Sequence, residues 1–449
     1  MSDGENFLYD LMPADNAFIS RLEIKKLFGR QDINLDFSGP QETQERSINI
    51  IYGLNGQGKT TILKFIYFLI SKDSGRGHKS WIAALPFIEA KLFMSDGSTL
   101  TVSRTKGNTG SYIVIFNKDL ESIEFNIIAD ENNSVKMDNS GTDVSDYLSF
   151  VANFPVNIFY MTDDRKYYSN SNVVSRIHRR RPVSGDIIYE SGRDYFMRRS
   201  SEEADQSVSF SDMAEVITEV FRRQVMKGGV QVQRNMYSIY KQLVESVIEA
   251  SETPDDIKNY LLERIDETES LTESSIRIGA MPMMDAEVFR GAVRQSEEAE
   301  LEKLYLVLNP FLDSLQARAS GIAAMVDRME AFVQELNRFY QDKLFDFTIR
   351  DGFTVKSIAN EQPLRVEWLS SGERQLFIIL GSAFLVQDET GIVLIDEPEL
   401  SLNIIWQREF VGALERISKF SPVQYILASH SPEILTSEAA RVVSIGGME

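Results

Sequence analysis

Cysteine is absent from this 449-residue chain. That one absence excludes disulfide staples, thiolate zinc sites and cysteine nucleophiles together, and it matches a reducing compartment, so a cytoplasmic protein is expected. Met1–Asn6 carries no basic segment leading into an apolar run, so no signal peptide is expected. Long hydrophobic runs are lacking as well. The most apolar stretch, Ile62–Ile70, contains Lys64 and falls far short of the roughly 20 residues that cross a bilayer, so a soluble protein without a membrane partner is expected. Positive charge is in short supply: 47 Lys and Arg face 67 Asp and Glu, for a net charge of -20. The surface as a whole therefore repels phosphate backbones and anionic lipid, and any nucleic-acid contact has to be local.

What is present is a chain long enough for a large core and two or three domains, with 43% hydrophobic residues. Residues 1–17 are polar and acidic and are expected to be flexible. From 18 to 165 an N-lobe is expected. Phe18–Ile24 and Ile33–Phe37 alternate as strands, and Ser47–Tyr52 reads as a buried strand that enters a glycine loop followed by an apolar helix, Thr60–Ile70. Short β-rich runs between Phe87 and Phe125, punctuated by Asp-Gly and Asn-Thr-Gly, predict an antiparallel subdomain, and Val156–Tyr160 predicts another core strand. Residues 166–208 read as a basic linker. From Arg165 to Arg199, nine Lys and Arg stand against three Asp and Glu, with Arg179, Arg180 and Arg181 in a row. A helical insert is expected over 209–344, with Ile322, Met325, Met329, Phe332, Leu336 and Phe339 forming a short coiled-coil seam. Pro310 is expected to interrupt the helix before that seam. Even as one continuous helix, Glu298–Lys343 would reach only about 70 Å at 1.5 Å per residue. A C-lobe is expected over 345–449. The expected fold class is α/β: a head built on a strand, glycine loop and helix, with an antiparallel β subdomain and an inserted helical domain.

Three segments read as one split nucleotide site. In Gly53-Leu-Asn-Gly-Gln-Gly-Lys-Thr60, Gly53, Gly56 and Gly58 let backbone N–H groups curl around phosphates, and the helix that follows presents its positive end. Lys59 supplies charge to the β- and γ-phosphates, Thr60 offers a hydroxyl to Mg²⁺, and Asn55 and Thr61 belong to the same expected binding set. In Ile392–Pro398 a buried strand projects Asp396 toward Mg²⁺ and Glu397 toward the attacking water. ATP and Mg²⁺ are thus the expected ligands. Leu369-Ser-Ser-Gly-Glu373 opens a second helix. Ser370 with Glu373 can be an ordinary capping box, and Ser370, Gly372 and Glu373 can also cap a nucleotide held by a partner subunit; one role does not exclude the other. His430, at the end of the strand Tyr425–Ala428, is either structural or a catalytic group that senses the γ-phosphate or orients water. Asn403 lies in the loop beyond the acidic pair, where a dimer interface could cross.

The segments Leu27-Phe-Gly29, Leu369–Gln375, Ile395–Leu402 and Ala428–Pro432 resemble the ABC-type ATPases of the OLD, RecF and SMC group. They are most similar to compact phage-defence ATPases such as the PARIS, Septu and retron-associated subunits. The resemblance covers roughly 18–165 and 345–446. It implies a homodimer or higher homo-oligomer closed through the ATPase heads, a separate effector nuclease subunit, and a phage protein or DNA as trigger. The helical insert is far too short for an SMC-type arm. The glutamine-containing loop usual in such ATPases has no clear match; its place would be near Tyr160–Arg165. The chain ends within about 20 residues of His430, too few for the Toprim nuclease that OLD-type members carry, given typical domain sizes. A nucleotide-gated scaffold or sensor that controls another protein is the leading expectation. A repair ATPase that binds DNA directly through Arg176–Arg199 is the alternative. A transporter subunit fits the signature but not the insert.

Overall fold

A computed structural model describes residues 12–14, 17–38, 48–71, 77–135, 143–164, 167–169, 209–227, 254–386, 391–418 and 423–446. The chain divides into two units, one made of Met1–Met213 and Leu369–Glu449, the other of Ala214–Trp368.

The first unit is α/β. Its first sheet is antiparallel throughout: β1 (Ile19–Leu27), β2 (Gln31–Asp36), β4 (Glu89–Met94), β5 (Thr99–Arg104), β6 (Tyr112–Lys118) and β7 (Glu121–Ile127), in the order β2-β1-β4-β5-β6-β7. Alternate residues of β4 and β5 are buried, as one covered face requires. The second sheet has the order β14-β3-β13-β12-β8-β9, from β3 (Ile48–Tyr52), β8 (Asn157–Met161), β9 (Tyr167–Ser169), β12 (Gly391–Asp396), β13 (Val423–Ser429) and β14 (Ala440–Ser444). All its pairs are parallel except β8 with β9. Every residue of β12 and β13 is buried, which explains why Ile392–Ile395 of β12 reads as an unbroken apolar run.

Helix α1 (Lys59–Ile70) joins the two sheets into one core, and α2 (His78–Ala84) and α3 (Asp143–Ala152) belong to the same unit. Its Ile62, Phe65 and Ile66 share a single buried cluster with Leu22, Leu92, Ile158, Leu394 and Ile426. Gln424, wholly inside, adds a polar tie. Its carboxamide oxygen accepts from the backbone N–H of Ile19 at 2.9 Å, and its amide donates back to the Ile19 carbonyl at 2.7 Å. Packing also begins earlier in the chain than expected. Met12 is buried, and the Ala14 N–H donates to Asp96 at 2.8 Å, so these residues of the expected flexible N-terminus are held by the antiparallel sheet. The basic segment lies outside the described residues apart from Tyr167–Ser169.

The second unit contains α5 (Ile257–Arg277), α6 (Ala286–Gln295), α7 (Glu298–Phe339) and the hairpin β10 (Lys343–Thr348) with β11 (Gly352–Ser357), preceded by α4 over 210–227, which starts in the first unit. Two expectations are corrected here. Pro310 does not interrupt the helix: α7 runs unbroken for 42 residues with Pro310 buried inside it. Flanking Leu308 and Leu312 are packed with Leu261, Ile265 and Val293, and this burial outweighs the one hydrogen bond that proline removes. The hairpin, expected at the start of the C-lobe, packs with the helical unit instead. Phe347 meets Phe221 at 5.2 Å between ring centroids, and Phe353 meets Phe332 at 5.8 Å. The seam Ile322 to Phe339 is buried as its spacing predicts, and Phe332 within it faces a β-hairpin.

Candidate nucleotide site

In the parallel sheet, β13 runs between β3 and β12. The register pairs Tyr52 with Ser429, Ala428 with Asp396, and Ile395 with Met161. The four strands therefore end level, and Gly53, His430, Glu397 and Asp163 follow along one C-terminal edge. This edge is where open α/β sheets bind ligands.

The glycine loop between β3 and α1 takes its shape from two left-handed residues, Gly56 at φ 84° and Gly58 at φ 92°. A Cβ at Gly58 would also stand 3.1 Å from the Phe28 ring, which lies beneath the loop. Gln57 braces the loop from inside, its carboxamide oxygen accepting from the Leu54 N–H at 2.6 Å, while Gln31 on β2 donates to the Gln57 carbonyl at 2.9 Å. Lys59 is buried and its Nζ donates to the Gly53 carbonyl at 2.7 Å. Thr60 and Thr61 are half-buried in the first turn of α1, and Asn55 is exposed at the loop tip.

Asp396, at the end of β12, is 2% exposed, and neither of its carboxylate oxygens makes a hydrogen bond of good geometry. Burial pushes its carboxyl up to about 6. The Thr60 hydroxyl opposes that rise, the charges of Asp163 and Glu397 add to it, and Lys64 opposes it. A buried carboxylate without a partner beside a threonine hydroxyl suits a hard cation with oxygen ligands, so the residues present fit Mg²⁺.

Glu397 sits in the left-handed region at φ 50°, unusual for a residue with a Cβ, and its N–H donates to the Ala428 carbonyl at 2.8 Å. The turn that follows points its side chain at His430: Nδ1 lies 2.7 Å from Glu397 Oε2 and 3.1 Å from Glu399 Oε1. Glu397, Glu399 and His430 could be taken for a metal cage, since their ligand atoms lie within 4.8 Å of one another. The Oε1 of Glu399 is already committed, while its Oε2 is buried without a hydrogen bond. Glu399 Oε1 already accepts from the Ser429 hydroxyl at 2.8 Å and from the backbone N–H groups of His430 at 2.9 Å and Ser431 at 3.2 Å. Glu399 is a residue the motif reading passed over, as is Asp163. The available signal was position alone: one is the next carboxylate after Glu397, the other the first acid after β8.

The signature segment begins α8 (Ser371–Val386). The capping box is formed, with the Ser370 N–H donating to Glu373 Oε2 at 2.6 Å and the Glu373 N–H donating to the Ser370 hydroxyl at 3.2 Å. Gly372 is buried against the Ser401 carbonyl, so the helix start abuts the turn beyond Glu397. Asn403 caps α9 (Ile404–Ile417), accepting from the Trp406 N–H at 2.9 Å. Ser370, Ser371 and the turn residues Leu400 and Ser401 are exposed.

Comparison with known proteins finds the following likenesses. Retron Vc95 probable ATPase of Vibrio cholerae serotype O1 biovar El Tor is 32% identical over 92 residues, 20% of this chain and 18% of that protein. Retron Ec83 probable ATPase of Escherichia coli is 35% identical over 86 residues, 17% of this chain and 16% of that protein. The chain thus spans less than a fifth of the length of these curated relatives. Among solved structures, the Smc head domain of Pyrococcus furiosus with an extended coiled coil, bound to the C-terminal domain of ScpA, aligns over 96% of both chains at 13% identity and a TM-score of 0.38. The Smc head of Pyrococcus yayanosii with a coiled coil and joint aligns at 15% identity and a TM-score of 0.33, over 96% of this chain and 97% of that one. The family model described as AAA ATPase domain matches residues 18–435, nearly the whole chain, and the protein belongs to that family.

Proposed function

We propose that this chain binds and hydrolyses ATP, slowly or under regulation, as a nucleotide-gated homo-oligomeric scaffold or sensor in anti-phage defence that controls a separate toxic effector of the nuclease class. The ATPase part is carried by one observation. The glycine loop with Lys59, the buried Asp396 without a hydrogen bond, and the Glu397–His430 pair converge on one sheet edge. The defence part is supported by the likeness to the two retron ATPases.

In this reading the loop N–H groups, the start of α1 and Lys59 take the β- and γ-phosphates. Thr60 and Asp396 would hold Mg²⁺, which when bound neutralises charge on the phosphate oxygens. Glu397 accepts the proton of the attacking water. The water oxygen bonds to the γ-phosphorus as the bond to the β–γ bridging oxygen breaks, leaving ADP and phosphate. His430 donates through Nδ1 to Glu397 and holds its carboxylate in place. Ser370, Gly372 and Glu373 offer a second helix start to the nucleotide of another copy, which makes ATP the closing element of a homodimer.

Lys59→Ala should lose ATP binding, whereas Glu397→Gln should keep it and accumulate an ATP-dependent dimer, read by calorimetry and light scattering. Equal affinity and equal oligomeric state in the two variants would contradict the scheme. For the defence role, cells that carry this gene with its neighbour should restrict phage plating and lose restriction with Lys59→Ala. Undiminished restriction by that variant would refute nucleotide gating.

A further inference from the structure

Glu399 is 7% exposed and stands two residues beyond Glu397, yet its partners come from another strand. Its Oε1 gathers the Ser429 hydroxyl at 2.8 Å and the N–H groups of His430 and Ser431 at 2.9 and 3.2 Å, and it faces His430 Nδ1 at 3.1 Å. Two consecutive backbone N–H groups on one carboxylate oxygen form a small anion nest inside the protein. The other end of the grip is set by Gln407 on α9. Its amide donates to the Leu402 carbonyl at 2.8 Å, and its carbonyl oxygen accepts from the Ser431 hydroxyl at 2.6 Å. The loop after β13 is therefore fastened to the turn after β12 at two points.

This grip bears on the imidazole. Both groups facing Nδ1 are carboxylate oxygens, which only accept, so Nδ1 carries a proton and Nε2, on the far side of the ring, keeps its lone pair in the neutral form. Glu397 alone would be a loose guide for that choice, because its side chain is partly exposed and it is the group expected to turn toward water. Glu399 is the partner fixed by other bonds. A carboxylate that orients a working histidine and selects its tautomer is a recurrent arrangement around catalytic and metal-bound imidazoles.

We infer that Glu399 is a positioning residue: it anchors the loop that carries His430 and holds the imidazole with its Nδ1–H toward Glu397, so that the two act as a pair. The inference rests on the ATPase reading of Glu397 and His430. Glu399 itself touches neither nucleotide nor water in this scheme.

The test uses the full chain labelled with ¹⁵N-histidine, free of nucleotide, with His430→Gln to assign the signals. The wild type should show the neutral ring of His430 carrying its proton on Nδ1 and not on Nε2. Glu399→Ala should give a mixture of tautomers, and kcat should fall by about ten- to a hundredfold with KM for ATP little changed. Glu399→Gln keeps an acceptor oxygen and should recover most of what Glu399→Ala loses, in tautomer and in kcat, and it serves if the alanine variant does not fold. An alanine variant with the wild-type tautomer and kcat would overturn the proposal. So would a rise in KM in place of a fall in kcat, or a glutamine variant as impaired as the alanine one. The tautomer is read without ATP, so the ATPase reading falls separately, if the wild type does not hydrolyse ATP at all.

Discussion

A Cβ on Gly372 would run into the backbone oxygen of Ser401. The signature helix start and the turn beyond Glu397 are thus pressed together with no room for a side chain. Ser401 is itself in the left-handed region, at φ 71°, as is Glu397 at φ 50°. Both ends of that turn are conformationally costly and persist only because their surroundings hold them. A displacement at Gly372 should therefore reach Glu397 through the turn Glu397–Ser401, which is strained at both ends.

Gly372→Ala should fold with a loss of roughly 1–3 kcal/mol, the usual cost of overpacking a tight contact. A single copy should bind ATP nearly as well as the wild type, since the nucleotide Gly372 meets in this scheme is that of another copy, but the protein should hydrolyse it far more slowly. Denaturant unfolding, ATP titration and steady-state turnover check the three parts. A variant whose ATP binding falls as much as its turnover would show that the two segments are not coupled in this way.

Lys79 lies at the other end of the glycine-loop helix. Its Nζ donates to the carbonyls of Phe68 and Leu69 at 2.7 and 2.9 Å and of Ser71 at 3.2 Å, and it stands 4.7 Å above the Tyr147 ring. These carbonyls lie at the C-terminus of α1, where no further helical turn can satisfy them. Burial pushes the Lys79 ammonium down to about 7. Lys79→Met fills the space but leaves the Phe68 carbonyl unmet, while that of Leu69 keeps the Tyr147 hydroxyl at 2.6 Å; an unmet buried group costs about 1–3 kcal/mol. The variant should melt at a lower temperature, with ATP recovering only part of the loss. A melting temperature equal to the wild type would mean that water replaces the ammonium without cost.

The sequence made the α/β class legible because its signals are local: the apolar run Ile392–Ile395, the alternation in Glu89–Met94, and glycines at a spacing that few other loops need. What it hid depends on topology. No local pattern says that β13 inserts between β3 and β12, yet that insertion sets His430 beside Glu397 and turns Glu399 from a surface carboxylate into a buried anchor. Pro310 misled for the opposite reason. A local rule for helix breaking was outweighed by the burial of Leu308 and Leu312 against Leu261 and Ile265. The hairpin at Phe347 and Phe353 looked like the return of the sheet, and only its aromatic contacts with Phe221 and Phe332 show which unit it joins.

Asp396 gives the clearest dependence on pH. Its folded carboxyl titrates at about 6 against 3.8 for the free group, because burial disfavours the charged form. Between these values the folded protein holds a proton that the unfolded chain has released. Stability without nucleotide therefore falls as pH rises from about 4 to about 6, and the penalty is fully present above that, on the order of 3 kcal/mol. Asp396→Asn has no charge to bury. It should be more stable than the wild type at pH 8 in the absence of Mg²⁺ and ATP, and the advantage should shrink toward pH 4. Adding both ligands should reverse the order, since the wild-type carboxylate then gains a cation partner that the amide cannot hold as tightly. Thermal melts of both proteins at pH 5 and pH 8, with and without Mg²⁺ and ATP, decide the matter. An asparagine variant less stable than the wild type at pH 8 without ligands would mean that the buried carboxylate is already compensated inside the protein, and its assignment as the cation-holding group would lose its physical basis.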